Sequence, residues 1–157
     1  MPTDGSSADT AAERHVRASG ARAAVRLARI VELALLEVGL SAAQYRMLIF
    51  LADGVAPASA LATKLRVSRP SITALVDGLA QKGLVLRQDD PTDRRKVDLV
   101  LTPEGGEALK RADAQVAASL ADLFGELDQG DDAEAWDGLT LILESLNRKR
   151  RAALEGT

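Results

Sequence analysis

The stretch Val67–Thr102, VSRPSITALVDGLAQKGLVLRQDDPTDRRKVDLVLT, decides the fold. Ser68 is a good helix N-cap, since its hydroxyl can accept an orphan amide hydrogen bond. Pro70 is tolerated next, because first-turn amides have no helical partner. Gly83 closes the segment, so the spacing predicts a helix over about 69–82. Ile72, Leu75, Val76 and Leu79 form its apolar stripe. The opposite side carries Arg69, Pro70, Ser71, Thr73, Ala74 and Asp77. These small or polar residues suit base edges and phosphates. Leu84–Gln88 then reads as a strand, and Asp89–Asp93 as a turn cluster. Lys96–Leu101 reads as a second strand, with Val97, Leu99 and Leu101 alternating toward one face. The hairpin tip carries Arg94, Arg95 and Lys96. A guanidinium at such a tip suits a narrow minor groove, and Asp93 beside it suits an orienter of a neighbouring arginine. The same tip also reads as an ordinary solvated charged turn.

Upstream, Ser41-Ala-Ala-Gln44 is a capping box that opens a helix to about Ala52, with Tyr45, Leu48, Ile49 and Leu51 apolar. Asp53-Gly54 is a turn signal. A short helix is expected over about 58–65, with Leu61 and Leu65 inward and a tight turn at Arg66-Val67. Two short helices joined this way fit a helix-turn-helix, or two core helices of any α-helical domain. Farther back, residues 1–10 are expected to be a disordered tail. Thr10-Ala-Ala-Glu13 is a second capping box, and a helix is expected from about 11 to 38. Gly20 weakens it, which puts the ordered start nearer 21. Ala24, Leu27, Val31, Ala34 and Val38 recur at helical spacing, with Arg22, Arg26 and Arg29 on another face. Gly39 ends the helix.

Downstream, Thr102-Pro103-Glu104 combines an N-cap, a first-position proline and an acid near the positive helix end. The helix it opens is expected to reach about Leu127, with Leu109, Ala112, Val116, Leu120, Leu123 and Phe124 apolar. After Gly130, Asp131 and Glu134 begin a last helix. Its stripe of Ala135, Leu139, Ile142 and Leu146, flanked by Trp136 and Leu143, is wide. It fits burial against a partner's helices or within the same monomer. Arg148-Lys149-Arg150-Arg151 suits the negative helix end first and a phosphate second.

The bulk properties bound the function. A length of 157 residues makes one domain the expectation. The net charge is −3, but residues 13–29 and 60–97 each carry +4, and residues 107–137 carry −7. This segregation fits a face made for an anion, or the arginine-rich composition of a GC-rich genome. There is no cysteine and the only histidine is His15, which removes thiol chemistry and most nucleophile–base or metal schemes. No catalytic, cofactor or metal constellation stands out. The N-terminal segment lacks an apolar signal core and no run is long enough to span a bilayer, so a cytoplasmic location is expected.

With these residues in place, a resemblance emerges. Asp93-Arg94-Arg95-Lys96-Val97-Asp98-Leu99-Val100-Leu101-Thr102, preceded by Asp90-Pro91, resembles the wing signature of MarR-type winged helix-turn-helix transcriptional regulators. LAQKGLV at 79–85, LSAAQY at 40–45 and LTPEG at 101–105 are similar to that family's recognition-helix exit, second-helix opening and fifth-helix entry. The resemblance spans roughly residues 22–152. It implies a mostly α fold with a small β-wing, and a homodimer built from the N-terminal and C-terminal helices. The expected divisions are 11–39 for the N-terminal dimer helix, 40–102 for the DNA-binding lobe and 103–153 for the C-terminal dimerisation helices. It further implies a double-stranded DNA operator, with 69–77 in a major groove, Arg95 in a minor groove, Asp93 orienting Arg95, and Arg87 facing phosphate. Many members bind a small aromatic or phenolic effector. Tyr45 is a candidate effector contact, with core packing as its other reading. The expected function is a ligand-responsive repressor. The alternative is a winged-helix module without ligand sensing, acting as a constitutive DNA binder or a protein-interaction module.

Overall fold

The computed structural model describes residues 5–52, 54, 56–57, 69–89 and 97–155. Among them are five helices and three strands. The helices are α1 (Gly5–Glu37), α2 (Ala42–Ala52), α3 (Arg69–Gln81), α4 (Pro103–Phe124) and α5 (Asp131–Glu155). The strands are β1 (Ala56–Pro57), β2 (Val85–Asp89) and β3 (Val97–Leu101). The expected helix over 58–65, Ser68 and the hairpin tip at 90–96 lie outside the described residues.

Two helices end by the same device. Gly39 and Gly83 have φ of 74° and 70°, a left-handed conformation that glycine adopts without a Cβ clash. At the end of α1, Leu40 N donates to Leu35 O and Gly39 N to Leu36 O. At the end of α3, Leu84 N donates to Leu79 O and Gly83 N to Ala80 O. Both stops satisfy carbonyls that would otherwise be orphaned. Each also brings two leucines together, Leu35 with Leu40 and Leu79 with Leu84, and all four are buried. The two stops are joined: Lys82 Nζ donates to Gly39 O at 2.5 Å.

The helix starts follow the sequence just as closely. Ser41 N donates to Gln44 Oε1 at 3.0 Å and Gln44 N to Ser41 Oγ at 3.1 Å, which closes the capping box of α2. Thr102 is the buried N-cap of α4. Its Oγ1 accepts from Gly105 N at 2.9 Å and donates to Gly83 O at 2.7 Å. One hydroxyl thus ties the end of α3 to the start of α4.

The sheet has the order β1-β3-β2, and both pairings are antiparallel. In the hairpin Val85 faces Leu101, Arg87 faces Leu99 and Asp89 faces Val97. β1 pairs Ala56 with Leu99 and Pro57 with Asp98. It is an edge strand of two residues, the place in a sheet where a proline is tolerated.

The chain divides into two compact units, Met1–Ala117 and Ala118–Thr157. The first is built on a core of Leu35, Met47, Leu48, Val76, Leu79, Val85 and Leu99, all nearly or wholly shielded from solvent. These residues come from α1, α2, α3 and the hairpin, so the sheet and three helices share one apolar centre. In the second unit Phe124 is buried and meets Trp136 edge-on, with ring centroids 5.0 Å apart at 78°. That is a favourable aromatic geometry.

The start of α1 and the end of α4 differ from the sequence reading. α1 begins at Gly5, inside the stretch expected to be a tail, and runs unbroken through Gly20. Thr10 and Glu13 lie inside the helix rather than at its start. There Arg14 Nε donates to Thr10 O at 3.1 Å and Arg17 pairs with Glu13 at 3.3 Å. α4 ends at Phe124, and the chain turns through Leu127 with Leu127 N donating to Phe124 O. Leu123, expected on the apolar side of α4, is 38 % exposed. No helix among the described residues is long and apolar enough to cross a membrane.

Candidate nucleic-acid interface

α3 divides as its sequence dictates. Ile72, Val76 and Leu79 are buried and Leu75 is partly buried. Pro70, Ser71, Thr73, Ala74 and Asp77 are exposed on the other side. Arg69 opens the helix. The outer face therefore offers a shallow surface of small and polar groups over about two and a half turns, a shape that fits a major groove.

β2 follows α3 almost directly, and its register explains how the hairpin meets the helix. Val85 and Arg87 share a face with Leu101 and Leu99, their cross-strand partners. Val85 and Leu99 are buried in the core. Two residues farther along, the same face clears the edge of α3, and Arg87 emerges there into solvent. Its aliphatic stem can follow the apolar surface while the guanidinium stays wet. The guanidinium ends on α3, where Arg87 Nη2 donates to Asp77 Oδ1. On the other face of β2, Leu86 is 60 % exposed.

A second polar contact joins α2 to α4. Tyr45 packs against the core, and its hydroxyl donates to Asp113 Oδ1 at 2.5 Å. Nearby, Gln115 Nε2 donates to Glu37 Oε2 at 2.5 Å, which joins α4 to α1. Burial pushes the Tyr45 phenol well above the ordinary tyrosine range, and the Asp113 carboxylate adds to the effect. Loss of the phenolic proton in the folded state is therefore disfavoured. The contribution to stability is present below the ordinary phenol value, about 10, and is lost as pH rises above it. Tyr45 is the only tyrosine in the chain, so phenolate absorbance reports it alone. Its titration is expected above the ordinary range in the native protein and within that range in denaturant. Asp113→Asn is expected to move it only part of the way down, because burial remains.

Comparison with known proteins fixes what this arrangement belongs to. The family model described as "MarR family" matches residues 38–96. The chain belongs to the MarR family. The expected fold class, mostly α with a small β-wing, holds, and the short helix expected over 58–65 lies outside the described residues. A putative transcriptional regulatory protein for the hcr operon of Thauera aromatica is 40% identical over 73 residues, covering 46% of this chain and 44% of that one. The uncharacterized HTH-type transcriptional regulator YhbI of Bacillus subtilis is 35% identical over 101 residues, covering 64% and 66%. Thus the matched stretch spans about half to two thirds of these curated relatives. Among solved structures, the transcriptional repressor CouR bound to a 23-mer DNA duplex is 30% identical with a TM-score of 0.64, covering 80% of this chain and 89% of that one.

Within this MarR-family fold, the residues expected at the interface fall into two groups. Pro70, Ser71, Thr73, Ala74 and Asp77 share the outer face of α3, and Arg87 is brought to them by β2. Ser68, Asp93, Arg94, Arg95 and Lys96 lie outside the described residues. The pairing of Asp77 with Arg87 was not read from the sequence. The stretch between them, ten positions from one to the other, includes the helix end and its turn, and only the strand register brings the two side chains together. Tyr45 has its hydroxyl engaged by Asp113, a partner 68 residues away with no local signal. Among the described residues, no group of three or more His, Cys, Asp or Glu is placed to hold a metal ion.

Proposed function

We propose that the protein is a dimeric, sequence-specific DNA-binding transcriptional regulator that acts as a repressor and answers to a small aromatic or phenolic effector. The observation that carries the DNA reading is the outer face of α3. It is free of bulky apolar groups, its residues Pro70, Ser71, Thr73, Ala74 and Asp77 are exposed, and it adjoins β2 and β3, whose connecting sequence holds the successive basic residues Arg94, Arg95 and Lys96. In this reading Ser68, Arg69, Pro70, Ser71, Thr73, Ala74 and Asp77 meet a major groove. Arg94, Arg95 and Lys96 approach an adjacent minor groove, with Asp93 orienting Arg95. The printed functions of the relatives support the reading. So does the DNA duplex held by the similar repressor structure.

Exposed apolar side chains support the dimer. Leu33 and Leu36 on α1, and Leu141, Ile142, Leu143 and Leu146 on α5, are between 46 % and 63 % exposed in the single chain. Burying a side chain of this size stabilises by about 1.5–3 kcal/mol, so the apolar patch on α1 and the one on α5 are each driven to find a cover. Charge adds direction. Arg22, Arg26 and Arg29 precede Leu33 and Leu36 at helical spacing on α1, and Glu134, Asp137 and Glu144 flank Leu141 on α5. A two-fold dimer can set these unlike seams against each other. In this arrangement residues 11–39 and 103–153 form the dimer region and 40–102 the DNA-binding lobe. The effector would lie near Tyr45.

Selection of bound fragments from the native genome tests the reading. A pseudo-palindrome with half-sites about one DNA turn, roughly 10 bp, apart is expected. Arg95→Ala is expected to weaken binding to that operator by about 1–3 kcal/mol, roughly 5- to 150-fold in Kd. Unchanged affinity in a gel-shift titration at fixed salt sinks the minor-groove assignment.

A further inference from the structure

We propose that Asp77 is a specificity-determining positioning residue, which holds Arg87 so that this guanidinium engages phosphate only where the operator presents it. The proposal rests on the DNA reading above and concerns the same surface.

A carboxylate on a helix face addressed to a polyanion is an electrostatic liability, since phosphates dominate affinity for any DNA. Asp77 occupies such a position on α3, with exposed Pro70, Ser71, Thr73 and Ala74 on the turns before it. What distinguishes it is its partner. Arg87 comes from the core face of β2 and meets Asp77 through Nη2. Together the two are neutral, and neither adds net attraction for a random duplex.

The pair is also exchangeable. The Arg87 and Asp77 side chains are 45 % and 56 % exposed, and ion pairs in contact with water are weak and screened. A guanidinium carries five N–H donors in a rigid fork. The contact with Asp77 is made through Nη2, so it uses one nitrogen of the fork. Arg87 can thus keep Asp77 and still offer donors to a phosphate oxygen, provided the phosphate comes to where the fork is held. Freed from Asp77, the same long side chain would reach phosphates over a wider arc and in any register. Asp77 therefore exchanges general attraction for discrimination.

The experiment uses the full chain on its selected operator and on a random duplex of equal length, each titrated over a range of salt. Asp77→Asn keeps the shape of the side chain and removes its charge. It is expected to raise affinity for the random duplex and to lower the operator-to-random ratio on the order of tenfold. It should also steepen the log–log salt dependence on random DNA by about one, the signature of one added phosphate contact. Introduced into an Arg87→Ala background, the same substitution is expected to leave the ratio within about twofold, because the side chain it releases is gone. An unchanged ratio in Asp77→Asn overturns the proposal. So does an equal fall in ratio with and without Arg87, which would mean that Asp77 acts by repelling DNA directly. Wild-type protein that binds neither duplex overturns the DNA reading itself.

Discussion

Gly105→Ala is expected to destabilise the protein by about 3 kcal/mol, the upper end of what overpacking a tight site costs. Gly105 sits in the first turn of α4, where alanine would ordinarily gain about 1 kcal/mol of helix propensity. The packing reverses the sign. A Cβ at this position would lie 2.1 Å from Leu84 O and 2.7 Å from Leu101 Cδ1. The nearer atom is backbone, held by the stop of α3 and by Thr102 N at 3.2 Å, so it cannot rotate aside. Gly106 supplies the control, because nothing lies within 4 Å of a Cβ built there. Gly106→Ala is expected to stabilise by about 0.4–1 kcal/mol. Urea midpoints for the two variants should therefore move in opposite directions. A Gly105→Ala midpoint equal to or above wild type would show that α4 does not start against Leu84.

Leu79→Ala is expected to cost about 2–5 kcal/mol, the range for truncating a fully buried leucine. Leu79 is wholly shielded from solvent, and Leu84, hydrogen-bonded to it through the backbone at the helix stop, belongs to the same buried cluster. The cavity would open on the inner side of α3, beneath the face proposed to meet DNA. Operator affinity is expected to fall along with stability. Leu86→Ala, on an exposed position of β2, should stay within about 0.5 kcal/mol of wild type. Denaturation of the two variants under identical conditions checks the contrast. A Leu79→Ala loss below about 1 kcal/mol would contradict the packing described here.

Much of this was legible in the chain because its punctuation is local. Ser41 and Gln44, Thr102 with Pro103, and the stops at Gly39 and Gly83 involve residues within a few positions of one another. The structure uses each as its chemistry suggests. The stripe on α3 was equally plain, since Ile72, Val76 and Leu79 share one face of any helix that holds them. The misplaced start of α1 has the converse cause. Thr10 and Glu13 satisfy a capping pattern, but that pattern also tolerates an interior position. One glycine at 20 costs only about 1 kcal/mol against a helix of 33 residues. β1 left no trace because two residues have no periodicity to detect. The contacts that shape the candidate site were the hardest to see. Tyr45 with Asp113, Glu37 with Gln115, and Asp77 with Arg87 are all set by tertiary packing or strand register. Sequence could name most of these residues as polar, but not whom they meet.

The division of the chain into two compact units has a consequence for cooperativity. The only tyrosine, Tyr45, belongs to the unit Met1–Ala117, and the only tryptophan, Trp136, to the unit Ala118–Thr157. Each unit thus carries its own chromophore. Tyrosine signal follows the α2–α4 contact through Asp113, and tryptophan signal follows the edge-on packing of Trp136 with Phe124. Coincident transitions in the two channels would mark a single folding unit, and separated ones would mark two. Unlabelled wild-type protein can therefore answer whether the unit Met1–Ala117 melts alone.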